Sequence, residues 1–95
     1  MNKEEATSIL VERLGQLRKC SYAELKQMVE DRISKREELV GQSGNNYQIE
    51  IQAFWDHKPD GQIRVRGSID DGGWSAFLPV ISDFIMAADG SFVRE

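Results

Sequence analysis

The apolar residues of this chain change their period at Tyr47, and that change limits the fold more than any other feature. Before it, Ala6, Ile9, Leu10, Leu14 and Leu17 recur every three or four residues. That spacing lines one face of a helix. After it, Tyr47, Ile49, Ile51, Ala53 and Trp55 alternate with Gln48, Glu50, Gln52 and Phe54. Alternation by two sends successive side chains to opposite faces of a strand. A chain that is helical first and extended afterwards folds as α+β, with its helices gathered on the sheet.

The helical third has its own punctuation. Glu4 and Glu5 fall in the first turn and Arg18 and Lys19 in the last, which suits the helix dipole. Gly15 costs about 1 kcal/mol against alanine and is expected to mark the close approach of another element. Ser21-Tyr22-Ala23-Glu24 has the form of a capping box, in which serine and glutamate satisfy each other's open amides. Leu25, Met28, Val29 and Ile33 continue the apolar stripe. With only Lys19-Cys20 between the helices, residues 1–33 are expected to form a tight helical hairpin or corner. Residues 34–41 admit two readings. Ser34 and Glu37 suit a second capping box and a short helix, whereas Leu39-Val40-Gly41 suits the end of a first strand. The strand is favoured, because residues 41–46 form a dense turn cluster before the next strand.

Beyond that cluster, Ile63, Val65, Gly67 and Ile69 alternate with Gln62, Arg64, Arg66 and Ser68. A hairpin that closes between Asp56 and Gln62 sets Trp55 opposite Ile63, Ala53 opposite Val65 and Ile49 opposite Ile69. Every apolar residue then lands on one side, as register requires. On the other side Gln52 meets Arg66, and Glu50 lies diagonal to Arg64 or Arg66. Asp60-Gly61, Asp71-Gly72-Gly73 and Asp89-Gly90 are hairpin signals. They divide the rest into strands near residues 47–56, 62–70, 74–78, 83–87 and 91–94, with Pro79 at a break or an edge. The expected architecture is one domain over residues 1–95. Two N-terminal helices pack on one face of an antiparallel β-meander of four to six strands, which occupies residues 36–95.

The string Gly67-Ser68-Ile69-Asp70-Asp71-Gly72-Gly73-Trp74, with Asp83-Phe84-Ile85 and Asp89-Gly90-Ser91-Phe92-Val93, resembles a segment of small bacterial proteins of unassigned function. The resemblance covers the last third of the chain. It implies a bacterial, cytoplasmic origin and brings no activity, cofactor or catalytic residue with it.

Bulk properties narrow the function classes. Ninety-five residues, 40% hydrophobic and 29% charged, are ordinary for a single globular domain. No apolar run approaches the ~20 residues of a membrane span. Met1-Asn2-Lys3-Glu4-Glu5 lacks the basic start and apolar block of a secretory signal, and the single cysteine, Cys20, has no partner for an internal disulfide. Together these point to a reducing cytoplasm. A net charge of −4 weighs against affinity drawn from phosphate neutralisation.

Few residues offer chemistry, and no cofactor is expected. His57, the one histidine, sits in the polar loop Asp56-His57-Lys58-Pro59-Asp60-Gly61. It reads as a solvated loop residue before it reads as a general base. Asp70 and Asp71 offer two carboxylates to a hard cation, but capping of a turn accounts for both. Cys20, beside Lys19 and a helix start, has the setting of a reactive thiol, against the commoner fate of an inert, partly buried one. The serines form no nucleophile elbow, and no phosphate-binding loop is present.

Aromatic placement is more informative. Phe54 points away from Trp55, and Trp74 and Phe77 have opposite parity. A second sheet face bearing Phe54, Arg64, Arg66 and Phe77 is therefore the candidate partner surface. The leading expectation is a non-enzymatic protein-interaction module, self-association through that face included. One alternative is a nucleic-acid-binding module using Arg64, Arg66 and Phe54. Another is a small metal-binding protein or enzyme using Asp70, Asp71 or His57.

Overall fold

The computed structural model describes residues 1–73 and 78–94. The first helix, α1 (Lys3–Leu17), begins where the Asn2 side chain accepts a hydrogen bond from the Glu5 amide at 3.1 Å. The second, α2 (Tyr22–Glu30), opens on the expected capping box. Glu24 N–H donates to Ser21 Oγ at 3.1 Å, and Ser21 N–H donates to Glu24 Oε1 at 3.0 Å. Beyond the Asp31 cap, Arg32 takes a left-handed φ of 52°. Its amide donates to the Val29 carbonyl, and the Ile33 amide donates to that of Met28. This is a Schellman ending with arginine where glycine is usual. It turns the chain directly into β1 (Ser34–Val40). The strand reading of residues 34–41 therefore holds. Glu37 caps no helix and instead binds Arg13, Oε1 to Nη2 at 2.7 Å.

The sheet continues through β2 (Asn46–Trp55), β3 (Ile63–Asp70), β4 (Val80–Met86) and β5 (Phe92–Val93). Its order is β1-β2-β3-β4-β5, and every neighbouring pair is antiparallel. The β2–β3 register sets Trp55 against Ile63, Ala53 against Val65 and Ile49 against Ile69, as the alternation requires. The strand expected at residues 83–87 begins earlier, at Val80, directly after Pro79. The one expected at 74–78 falls almost wholly on residues outside the described ones.

Both helices lie on one face. α1 runs against β3 and β4, and α2 against β2. The two meet at a corner over residues 18–21 and share few contacts of their own. Ala6, Leu10, Leu14, Leu17, Leu25 and Met28 close over Tyr47, Ile49, Ile51, Ile63, Val65, Ile69, Phe84 and Met86 to form the core. Burying each large side chain stabilises by about 1.5–3 kcal/mol. The glycine that permits close approach is Gly67, not Gly15. A Cβ on Gly67 would stand 2.7 Å from Leu10 Cδ1, whereas one on Gly15 would meet nothing within 4 Å.

Polar ties fix the helices at their ends. The Glu5 carboxylate accepts from the Ser43 amide at 3.0 Å, from the Ser43 hydroxyl and from Tyr47 Oη at 2.7 Å. These bonds hold its carboxyl below the usual range, chiefly through the Ser43 and Tyr47 hydroxyls. They join the start of α1 to the β1–β2 turn. Tyr22 Oη donates to the Gly61 carbonyl at 2.7 Å, and Lys26 Nζ lies 2.6 Å from Asp60. These join α2 to the β2–β3 loop.

Candidate interaction surface

Because side chains alternate across a strand, the register determines which residues the helices leave uncovered. They include Arg36 and Glu38 on β1, Glu50, Gln52 and Phe54 on β2, Arg64, Arg66 and Ser68 on β3, and Ile81, Asp83 and Ile85 on β4. Phe54, Arg64 and Ile85 lie side by side across β2, β3 and β4. Three of the four residues expected on the second face are thus on it. The fourth, Phe77, lies outside the described residues, as does Trp74.

Arg64 is the hub of this face. Its Nε donates to Asp56 Oδ1 and its Nη1 to Asp83 Oδ2, both at 2.8 Å. The three side chains are only 18%, 10% and 24% exposed. Asp56 Oδ2 also lies 3.2 Å from His57 Nε2. Arg66 Nε is 3.7 Å from Asp83, and its guanidinium stands 5.4 Å above the centre of the Phe54 ring, within cation–π range. Ile85 is buried beside Arg64 although it lies outside the helix-covered cluster. The expected diagonal pairing of Glu50 with Arg64 or Arg66 does not form. Glu50 pairs across to β1, its Oε2 lying 2.7 Å from Arg36 Nε. The physical reason is proximity: Arg36 is directly opposite Glu50, and Asp83 directly opposite Arg66.

Each arginine of the face therefore has a carboxylate beside it, and Arg64 is held by two. Asp56 and Asp83 escaped the sequence reading. Asp83 was detectable only once β4 was registered on β3, and Asp56 lies in the β2–β3 loop just beyond the end of β2. A second cluster also went unread. The Arg18 guanidinium lies 4.8 Å from the centre of the Phe84 ring and 5.4 Å from that of Phe92, whose rings meet edge to face at 5.8 Å. It shields the end of the core where α1 stops.

The other candidates do not converge. The His57 side chain is 81% exposed on its loop. Asp70 Oδ1 accepts from the Gly72 amide at 2.8 Å, an Asx-type turn, while Asp71 lies 3.5 Å from the Met1 nitrogen. The two carboxylates thus serve different partners. Among the described residues no three His, Cys, Asp or Glu side chains group together. Cys20 is a free, half-buried thiol packed against the core. Among the described residues no helix is long and apolar enough to cross a membrane. No protein-family model, curated protein or solved structure matches this chain.

Proposed function

We propose that this chain is a non-enzymatic protein-binding module that offers the uncovered sheet face, around Phe54, Arg64 and Arg66, to a protein partner. The observation that carries this reading is Arg64 clamped between Asp56 and Asp83 on the sheet face that the helices leave uncovered. A solvated sheet face needs only polar side chains. It does not need an arginine pinned by two carboxylates, or a second arginine stacked on a phenylalanine. Pinned side chains lose little further freedom when a partner arrives. Arginine and aromatic residues supply most of the strong contacts at protein interfaces.

The same pairing favours protein over nucleic acid. Arg36, Arg64 and Arg66 each have a carboxylate within 3.7 Å, so a phosphate would have to displace it. The free thiol of Cys20 suits action in a reducing compartment such as the cytoplasm.

Affinity capture with immobilised chains tests the reading. Native protein and Val11→Ser, altered on the exposed side of α1, should retain the same protein from a lysate of the source cells. Phe54→Ser and Arg66→Ala should lose most of it while melting normally. Equal retention by all four, or retention of nucleic acid in place of protein, would overturn the proposal.

A further inference from the structure

We infer that β1 is a docking edge for a second copy of this chain, the two β1 strands pairing antiparallel about Glu37 to join both sheets into one. Among the described residues β1 ends the sheet and pairs only with β2. All its residues are exposed except Leu39, which is half-buried. Among the described residues nothing pairs with its outer row of amides and carbonyls, the feature that β-augmentation uses.

Charge and register select the occupant. The middle of β1 reads Lys35-Arg36-Glu37-Glu38, cations before anions. Two copies related by a two-fold axis perpendicular to the sheet keep paired residues on the same face, so only residues of like parity pair. Full overlap of the strand sets Ser34 opposite Val40. Arg36 then lies opposite Glu38 of the partner subunit, and Glu38 opposite Arg36 of the partner subunit. Both pairs sit on the uncovered face. On the helix side Lys35 lies diagonal to Glu37 of the partner subunit. Glu37 meets its own counterpart at the axis, but each copy brings Arg13 to it at 2.7 Å.

Charged side chains on an edge strand ordinarily prevent pairing. Here they weigh against one wrong pairing. Slipping the register by one step of like parity sets Glu38 against Glu38 with no opposite charges facing each other in one direction; in the other it sets Arg36 against Arg36 while Lys35 faces Glu37 of the partner subunit over a shorter overlap. Charge therefore disfavours the slip about Glu38, and the fuller overlap of the strand favours the alignment about Glu37 over the one about Arg36. The inference does not rest on what the uncovered face binds, although a joined sheet would set two such faces side by side.

A seven-residue edge is small beside the roughly 800 Å² per partner of a standard interface, so a dissociation constant on the order of 10–100 μM is expected. Sedimentation velocity over a concentration series at low salt should show reversible dimerisation. Arg36→Glu alone and Glu38→Arg alone each set like charges opposite one another twice, and each should weaken dimerisation about tenfold or more. An equimolar mixture of those two chains should recover it, and so should both changes in one chain. Circular dichroism verifies that each variant folds. If one does not, Glu37→Cys in a Cys20→Ser background replaces it. That chain should oxidise to a covalent dimer, because Cα atoms directly opposite lie about 5 Å apart, within disulfide reach. A native chain still monomeric near about 1 mM, far above the expected constant, would overturn the inference. So would single variants that dimerise as well as the native chain, a mixture no better than its components, or a Glu37→Cys chain that stays uncrosslinked.

Discussion

The two faces of β2 and β3 are built from alternate residues of the same strands and are held by different forces. On the covered side Tyr47, Ile49, Ile51, Ile63, Val65 and Ile69 are sealed beneath α1 and α2. On the other side Glu50, Phe54, Arg64 and Arg66 stay within reach of water and are organised by ion pairs and a stacked ring. Apolar burial stabilises in proportion to area and is indifferent to direction. Ion pairs this near solvent add little net stability, but they fix where each long side chain points. One face makes the domain fold. The other gives it a defined surface.

The strongest challenge to this contrast is Gly67→Val. The new side chain would enter the space held by Leu10 and Leu14. Leu10 is fully buried and has nowhere to swing, so α1 must shift. Overpacking of this kind costs about 1–3 kcal/mol. The melting temperature should fall by roughly 4–8 °C per kcal/mol in a domain of this size. An unchanged melt would show that the covered face is looser than described.

Arg64→Ala should cost less, about 1–2 kcal/mol once solvent near the face is allowed for, because it strips Asp56 and Asp83 of their shared partner. Arg66→Ala, more exposed and farther from Asp83, should change stability by less than about 0.5 kcal/mol. Urea denaturation of the two variants measures both. If Arg64→Ala proved more damaging than Gly67→Val, the ranking of the faces would be reversed. The smallest effect is a gain. Gly15→Ala has open space for its methyl group and should stabilise by about 0.5–1 kcal/mol. A loss there would reveal a packing role for Gly15 after all.

Much of this fold was legible in the residues. The change of period at Tyr47 separated helices from sheet, the Ser21–Glu24 box placed the start of α2, and parity aligned β2 with β3 residue for residue. These succeed because they report interactions between near neighbours in sequence, or between strands joined by a short loop. The part of the candidate surface carried by β2 and β3 (Phe54, Arg64 and Arg66) was legible for the same reason. The partners of Arg64 and the role of Gly67 were not. Asp83 and Leu10 are brought to them by the β3–β4 register and by the line α1 takes across the sheet, and neither distance is written in local spacing.

By itself, the sequence determined that this chain would make two helices and then a meander with one apolar side, since periodicity and turn chemistry act over a few residues at a time. The tertiary structure alone decided which glycine would admit α1, which carboxylates would clamp Arg64 and which strand would stand at the edge of the sheet. Those outcomes depend on how whole elements are stacked. Stacking is settled by the fit of distant side chains to one another, which no stretch of the chain encodes on its own.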